Sequence, residues 1–215
     1  MSSVRVHNLA ISLDGFAAGP DQDLDHPLGV GGPRLHDWVF ATPSGRRMFG
    51  ESADGGEGVD DEFIVQGDAG IGATVMGRNM FGPVRGPWGD SKWTGWWGES
   101  PPYHHPVFVL THHARAPITM DGGTTFHFVA DGIESALDQA KAAAGDGDVR
   151  IGGGASTVQQ YLRARLIDEL HIVIVPIFLG RGERLFDHLD GGPDGYACVD
   201  FVSSPSVVHV RLARV

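Results

Sequence analysis

The chain has 215 residues, of which 41% are hydrophobic and 20% are charged, and its 27 acidic and 16 basic residues give a formal net charge of −11. This composition excludes a disordered or fibrous protein and argues against nucleic acid or an anionic membrane as the main partner. The single cysteine, Cys198, excludes an intrachain disulfide and a cysteine-based zinc cluster.

The same figures bound the organisation of the chain. We expect one domain over residues 1–215, because a chain of this length can bury a substantial core as one α/β unit. No apolar run approaches the roughly 20 residues of a membrane helix, and the N-terminus lacks the basic and apolar regions of a signal peptide. We therefore expect a soluble, cytoplasmic protein, with Cys198 in its core.

The first third of the chain predicts a strand, a loop and two helices before a second strand. Residues 4–12 are typical of a strand that becomes buried as it proceeds, and Leu13-Asp14-Gly15 predicts a turn. The stretch 18–34 is rich in Gly, Pro and Asp, which predicts an ordered loop over the strand ends. The elements that follow are a helix over 34–50, a helix over 59–68 with Phe63 and Ile64 inward, and a strand over 73–77.

Residues 82–106 form the most unusual segment. They contain Trp88, Trp93, Trp96 and Trp97, too many aromatic side chains for a solvated linker, and too many Gly and Pro residues for a helix. We expect this segment to fold back onto the domain as a lid or an interface. Packing or a dimer interface is favoured over a substrate platform for the aromatic cluster Trp93–Trp97.

The second half of the chain alternates strands and helices more regularly. Asp131 and Glu134 predict a capping box at the start of the first of these helices. Predicted strands cover 107–110, 125–129, 149–151, 169–179, 198–203 and 206–213, and predicted helices cover 131–144 and 155–165. This order predicts a three-layer α/β fold, with a mixed, mostly parallel sheet, helices on both faces and a C-terminal antiparallel hairpin.

The strongest chemical signal is Gly152-Gly153-Gly154, which links a strand to a helix that carries Ser156 and Thr157 in its first turn. Unpaired N–H groups at a helix start can bind an anion such as a pyrophosphate, provided that no side chain blocks the approach. Taken alone, the glycines are equally compatible with a flexible turn. The spacing is not a dinucleotide fingerprint, because Thr157 occupies the position of its third glycine, and it is not a P-loop, because no Lys follows.

Two further strand ends carry cations. Arg78 follows the strand over 73–77, and the run His112–Arg115 follows the strand over 107–110. A solvated arginine at a helix start is the simpler interpretation of Arg78 by itself. However, ligands of open α/β sheets collect at the carboxyl ends of the strands, so the three strand ends could converge on one phosphate-rich ligand.

Several motifs together resemble one family: SLDGFAAG, MGRNMF, VFVLTHH, IGGGAST and IDELHIVIVPIFLGRGERLF, in that order. The chain is similar to proteins of the dihydrofolate-reductase-like fold, above all the reductase domain of the bifunctional riboflavin-biosynthesis deaminase–reductase and its stand-alone relatives. The resemblance covers most of the chain, and it implies a reductase that binds NADPH across the carboxyl edge of the sheet.

The resemblance also implies which residues surround NADPH. Ala10 and Ala17 would lie near the nicotinamide. The positions near the adenosine phosphates would be Gly77, Arg78, Asn79, Met80, Thr111, His112 and His113. Those around the pyrophosphate would be Gly152, Gly153, Gly154, Ala155, Ser156 and Thr157. For the 2′-phosphate of NADP, Arg78 is the first candidate and a charged His112 or His113 the second, since one ion pair at about 4 Å contributes on the order of 4 kcal/mol before desolvation.

The sequence departs from this family in three ways. The deaminase half is absent, because no His-x-Glu with a Pro-Cys-x-x-Cys partner exists. Asn8 stands where the riboflavin reductases usually have Lys, which argues against a phosphoribosyl substrate. The long segment 82–106 suggests a flatter or more aromatic substrate.

Proton donors and metal ligands give weaker signals. Asp14, at the end of the first strand, and Asp37, on the helix behind it, are the candidate acids for a reduction. The alternatives are a turn-forming role for Asp14 and a solvated position for Asp37. We expect no metal site, because the adjacent pairs His104-His105 and His112-His113 diverge in extended chain.

The function expected from all of this is an NADPH-dependent reductase of a small heterocycle, pterin-like or pyrimidine-like, or of a carbonyl or imine substrate. The alternatives are an NADP-binding module without turnover and a true dihydrofolate reductase. We expect a homodimer paired through the sheet edge or the C-terminal strands, as the resemblance implies.

Overall fold

The computed structural model describes residues 2–48, 50–52, 58–82, 85–89, 92–189 and 195–215. The strands found there are β1 (Val4–Ser12), β2 (Phe16–Ala18), β3 (Ile71–Gly77), β4 (Pro106–Leu110), β5 (Ile118–Thr119), β6 (Thr125–Val129), β7 (Asp148–Ile151), β8 (Glu169–Val175), β9 (Glu183–Arg184), β10 (Tyr196–Ser203) and β11 (Val208–Arg214). The α-helices are α1 (Asp37–Phe40), α2 (Pro43–Met48), α3 (Val59–Asp68), α4 (Arg78–Phe81), α5 (Ile133–Ala144) and α6 (Ala155–Arg163).

Within these residues, the strands form a nine-stranded sheet in the order β10-β11-β8-β1-β7-β3-β4-β6-β5. The six strands from β8 to β6 pair in parallel. The hairpin β10–β11 and the short strand β5 add antiparallel edges. The predicted mixed, mostly parallel sheet with a C-terminal hairpin is therefore confirmed. A separate ladder joins β2 to β9.

The two faces of the sheet are covered differently, because neighbouring side chains of a strand point to opposite faces. Val75 packs with Val158 and Tyr161 of α6 on one face, which α5 also covers. Met76 packs on the other face with Phe81 and with residues of the segment 82–106, the tryptophan-rich segment. Also outside the α5 and α6 layer, a third cluster joins β8 to helical residues, among them Leu35, Trp38 and Ile64.

The tryptophan-rich segment folds back onto the sheet, as predicted. The indole N–H of Trp93 donates to the carbonyl of Phe81 at 2.9 Å. The Trp97 ring meets Tyr103 edge-on at 5.0 Å and stacks on Phe126 at 6.0 Å. These contacts support packing as the role of Trp97, while residues 83–84 and 90–91 of the segment lie outside the described part of the chain.

Some predicted elements end earlier than expected, and proline explains two of these boundaries. The helix over 34–50 is a 3₁₀ turn, Gly32–His36, followed by α1 and α2, with a break before Pro43, which disfavours helix at the preceding residue. Phe49, at the end of that predicted helix, lies outside the described residues. The strand predicted over 169–179 ends at Val175, because Pro176 has no N–H for a sheet hydrogen bond.

Two further expectations were wrong. Gly132, rather than Asp131, caps α5, and no side-chain hydrogen bond closes the predicted capping box. Cys198 is exposed instead of buried, since it lies on β10, an edge strand of the sheet.

Among the described residues, no helix combines the length and the apolar character that a membrane crossing requires.

A chain of buried histidines ties α3 to β8 and β11. The backbone N–H of Asn8 donates to His171 Nδ1 at 3.2 Å, so His171 Nε2 carries the proton and donates to His209 Nδ1 at 3.1 Å. His209 Nε2 in turn donates to Asp60 at 2.8 Å, and the Phe63 ring stacks on both imidazoles. Burial lowers the pKa of His171 to about 3, which keeps this ring neutral at physiological pH.

The histidine chain predicts an acid-sensitive fold. The pKa of His171 is about 3 in the folded protein, against about 6.5 in an unfolded chain, so the unfolded state binds more protons between these values. The free energy of unfolding is therefore expected to fall as the pH is lowered from about 6.5, by up to about 1.4 kcal/mol per pH unit for this group. Urea unfolding at several pH values measures the slope.

The matched variant is His171→Gln, whose amide can accept from Asn8 and donate to His209 without titrating. We expect a shallower pH dependence in this variant. Equal slopes in the two proteins would contradict the assignment of the acid sensitivity to His171.

Candidate functional site

A cavity of about 320 Å³ lies at the carboxyl edge of the sheet. Its lining comes from the ends of β3, β4 and β6, the starts of α5 and α6, the segment after α4, and β9. The lining residues are Gly77, Arg78, Asn79, Arg85, Gly86, Leu110, Thr111, His112, His113, Val129, Ala130, Gly132, Ile133, Gly154, Ser156, Thr157, Gln160 and Glu183. Its volume lies within the range of about 300–1,000 Å³ that is usual for small-molecule sites.

The glycines at this edge allow two strands and a helix to meet closely. Gly77 N–H donates to the carbonyl of Gly153 at 2.8 Å, and Gly152 N–H donates to Val75 at 2.7 Å. A Cβ on Gly77 would lie 2.3 Å from Thr157 Oγ1, so a side chain there would displace the Thr157 hydroxyl where β3 ends against α6. The close packing of strand ends and helix start therefore depends on missing side chains.

The three consecutive glycines have different surroundings. A Cβ on Gly152 would point at Met80 and Thr74, and Gly153 has a φ of +116°, which side-chain-bearing residues rarely adopt. Gly154 has an ordinary φ of −73° and faces the cavity, where a Cβ would meet only Glu183 Oε2, at 3.8 Å. Gly154 is thus the glycine through which a ligand can approach the main chain.

Two helices begin at this cavity. Ala155 opens α6 directly after Gly154, and Gly132 precedes α5 on another wall. The N–H groups of a first helical turn lack carbonyl partners one turn earlier, and the helix dipole is positive at this end. The two helix starts therefore favour an anionic ligand in this cavity.

Arg78 is held in place by contacts on several sides. Its guanidinium donates to Thr111 Oγ1 at 2.9 Å and to the carbonyl of Gly86 at 3.1 Å. Its Cζ lies 3.2 Å from the centre of the Trp88 ring, whose indole N–H donates to the carbonyl of His113 at 2.8 Å. This arrangement fixes a cation at the cavity wall, rather than leaving it in solvent.

Positive charges are crowded around Trp88. Arg115 Cζ lies 4.8 Å from the centre of the same ring, and Arg85 lines the cavity. Burial lowers the pKa of Arg78, and the like charges of Arg85 and Arg115 lower it further. An anion bound here would relieve this repulsion, although the chain as a whole carries a net charge of −11.

The structure brings most of the predicted cofactor residues to this one cavity. Those that line it are Gly77, Arg78, Asn79, Thr111, His112, His113, Gly154, Ser156 and Thr157. Met80, Gly152, Gly153 and Ala155 are not among the lining residues. Whether any of these residues binds a cofactor stays a prediction.

The predicted nicotinamide positions lie elsewhere. Ala10 is 3% exposed and packs in the cluster that contains Leu35 and Trp38. Ala17 is half-buried on β2 and packs against the core on the α5 and α6 face. Neither side chain lines the cavity, so contact with a nicotinamide ring is also a prediction.

The two candidate acids differ in their surroundings. Asp14 accepts hydrogen bonds from Ser12 Oγ at 2.5 Å and from the backbone N–H groups of Leu179 and Gly180 at 3.2 and 2.7 Å. The Ser12 hydroxyl and these amides lower the pKa of Asp14 to about 2, so it is ionised at neutral pH. This geometry favours the turn-forming alternative. Asp37 is exposed on α1 and does not line the cavity.

Sequence reasoning missed several lining residues, including Arg85, Gln160 and Glu183. Arg85 lies in the Gly-rich and Pro-rich segment, which has no periodicity that would reveal its direction. Gln160 follows from the predicted helix, three residues after Thr157 on the same face. Glu183 has no local signal, because the ladder between β9 and the distant β2 positions it.

A second cavity, of about 730 Å³, lies toward the opposite edge of the sheet. Asp68, which precedes β3, and His104, which precedes β4, line it together with Trp96, Trp97 and Arg47. It shares no lining residue with the first cavity. Among the described residues, no group of three or more His, Cys, Asp or Glu side chains is placed to hold a metal ion.

Comparison with known proteins identifies a family. A family model described as the RibD C-terminal domain matches residues 5–194. This match confirms the predicted likeness to the riboflavin-biosynthesis reductase domain. A search of curated proteins finds no match.

Solved structures share the fold. A putative riboflavin biosynthesis protein from Shewanella sp. PV-4 has a TM-score of 0.62 and 24% identity, with 100% of this chain and 99% of that chain covered. A pyrimidine reductase-like protein from Corynebacterium diphtheriae has a TM-score of 0.55 and 16% identity, with 100% and 92% covered. A deaminase/reductase from Thermotoga maritima has a TM-score of 0.55 and 14% identity, and this chain spans 57% of it. These likenesses confirm the predicted α/β fold.

The exposed main chain at Gly154 leads to a prediction. Asn and Asp both cap helices well, and the φ of −73° at Gly154 suits either residue, so Gly154→Asn and Gly154→Asp should both fold. If a diphosphate binds there, Gly154→Asp should bind NADPH about tenfold or more weakly than Gly154→Asn, because it adds a negative charge. Tryptophan fluorescence titration gives the affinities, and thermal unfolding checks the fold. Equal affinities in the two folded variants would place the diphosphate elsewhere.

Proposed function

The chain belongs to the RibD C-terminal domain family, and from this premise we propose that it is an NADPH-dependent oxidoreductase that reduces a small heterocycle of the pyrimidine or pterin type. Carbonyl and imine groups belong to the same proposal, because each accepts a hydride at carbon and a proton at its heteroatom. Two structural neighbours are named a pyrimidine reductase-like protein and a 5-amino-6-(5-phosphoribosylamino)uracil reductase, which supports the heterocyclic choice.

One observation carries the proposal. Three stretches that are far apart in sequence, at Gly77–Asn79, Thr111–His113 and Gly154–Thr157, line one cavity together with two helix starts. A ligand with several negative charges suits such a wall. Dinucleotides with a 2′-phosphate are ligands of this kind.

The residues present fit NADPH. Gly154 leaves the main chain open for a diphosphate, and Arg78, fixed between Trp88 and Thr111, offers a cation for the 2′-phosphate. When bound, NADPH would supply the hydride. The protein's own part is to hold the charged half of the cofactor and to orient the rest along the carboxyl edge of the sheet.

Asn8 supports a substrate without a phosphoribosyl group. The resemblance places a lysine at this position in the riboflavin reductases. Here the Asn8 side-chain amide donates to the carbonyl of Phe63 at 3.4 Å, and Gly67 of α3 packs against it. Asn8 is therefore held under α3 and brings no cation to a substrate.

An NADP-binding module without turnover is the second candidate. The ionised state of Asp14 favours it, because this carboxylate cannot donate the proton that a reduction requires. Water would supply the proton in the enzyme. The two candidates are separated by hydride loss from bound NADPH in the presence of an acceptor.

A homodimer is part of the proposal. Strand β10 lies at the sheet edge, and its Val199 and Phe201 side chains are 54% and 69% exposed. An exposed edge strand with large apolar side chains can pair with a second strand of the same kind. Size-exclusion chromatography with light scattering tests this pairing.

The cation at the cavity wall gives a prediction for cofactor choice. Arg78→Ala should weaken NADPH binding about tenfold or more while changing NADH binding much less, because only NADPH carries the 2′-phosphate. Arg34→Ala is the matched control, since Arg34 is exposed and lines neither cavity. Both affinities follow from fluorescence titration. Equal losses for the two cofactors would remove Arg78 from the 2′-phosphate site.

A screen of acceptors tests turnover itself. We expect NADPH to be oxidised in the presence of at least one pyrimidine, pterin, imine or carbonyl compound. The decrease in NADPH absorbance measures this oxidation. Tight binding of NADPH without its oxidation by any of the acceptors tested would favour the binding module. A protein that ignores NADPH at millimolar concentration would contradict both candidates.

A further inference from the structure

Glu183 is a carboxylate at the cofactor cavity that the proposed function does not use. It lies on β9, where Ala18 of β2 is its pairing partner. The next residue, Arg184, accepts a hydrogen bond from Gln159 of α6 at 2.8 Å, and a Cβ on Gly182 would lie 2.0 Å from the Ala18 carbonyl oxygen. The backbone on both sides of Glu183 is therefore held between β2 and α6.

The side chain of Glu183 points into the cavity. It is one of the lining residues, and its Oε2 lies 3.8 Å from the point that a Cβ on Gly154 would occupy. Within the described part of the chain, this carboxylate has no ion pair and no hydrogen bond. A half-buried carboxylate without a partner in the protein is suited to a donor on the ligand.

The position is unfavourable for a bare anion. The two helix starts and Arg78 attract negative charge, whereas Glu183 repels it from the side of Gly154. A ligand that satisfies both requirements has an anionic group and, close beside it, a neutral hydrogen-bond donor. In a dinucleotide, each phosphate of the diphosphate is esterified to a ribose, so hydroxyl donors lie one sugar ring away from the charge.

We propose that Glu183 accepts a hydrogen bond from a ribose hydroxyl of the dinucleotide, and that it thereby selects nucleotides over other diphosphates. This inference rests on the proposed function. The hydroxyl donates to Oε1 or Oε2, while the diphosphate takes its donors from the main chain at the start of α6. Glu183 is a specificity-determining residue for the cofactor, and it takes no part in hydride or proton transfer.

Two probes and three variants test the proposal on the full chain. The probes are NADPH and inorganic pyrophosphate, measured by calorimetry, and the variants are Glu183→Ala, Glu183→Gln and Glu134→Ala. Glu134 is an exposed acid in the first turn of α5 that lines neither cavity, so it controls for the loss of one negative charge. Thermal unfolding of each variant checks the fold.

We expect Glu183→Ala to weaken NADPH binding about tenfold, as for the loss of a charged hydrogen bond, and to leave pyrophosphate binding unchanged or tighter. Glu183→Gln keeps an acceptor oxygen and should lose less, and Glu134→Ala should change neither probe.

Three outcomes would overturn the proposal: tighter or unchanged NADPH binding in Glu183→Ala, equal losses for both probes, or equal losses in the Ala and Gln variants. A wild-type chain that ignores NADPH would overturn the proposed function, and this inference with it. Failure of the variants beside a wild type that binds NADPH would overturn this inference alone.

Discussion

The site depends on how closely a helix can approach the ends of two strands. Gly77 ends β3 against Thr157 of α6 and leaves room for a Cβ only if the Thr157 hydroxyl moves, and its N–H donates to the carbonyl of Gly153. Because this approach is so close, the first turn of α6 faces the same cavity as Arg78 and Thr111. A larger residue at Gly77 would displace the Thr157 hydroxyl, which lines the same cavity. The chemistry of the site follows from this steric constraint.

Local charge outweighs total charge at this cavity. The chain carries a net charge of −11, yet Arg78 and Arg115 lie against one indole ring, and Arg78, Arg85 and two helix starts line the same cavity. Charges farther away than about 8 Å are largely screened at physiological salt, so the acidic surface has little effect here. Trp88 holds the arrangement together, because its ring supports the guanidinium groups and its N–H anchors the chain after β4. The tryptophan-rich segment therefore contributes to the cavity as well as to the core.

Local patterns in the sequence predicted the eight longer strands, but not the short strands β2, β5 and β9. They also predicted the longer helices and the residues at three strand ends. Arg78, His112 and the triple glycine could be found because each lies just after the end of a recognisable strand, and the family resemblance added Gly77 and Thr111. The remaining features depend on contacts between distant residues. The exposed position of Cys198 follows from the place of β10 at the sheet edge, and that of Glu183 from the pairing of β9 with β2. The ionised state of Asp14 likewise depends on Leu179 and Gly180, which no local pattern connects to it.

The convergence of α5 and α6 has a consequence for the energetics of the whole chain. Both helices belong to the crossovers that build the sheet, β6–α5–β7 and β7–α6–β8, and both direct their positive ends at one place. The positive ends of the two helices repel each other, and this repulsion opposes assembly of the two crossovers. A multivalent anion bound between the helix ends offsets it. Folding and ligand occupancy are thus thermodynamically linked: each tenfold rise in ligand concentration above its dissociation constant adds about 1.4 kcal/mol to the stability of the native chain.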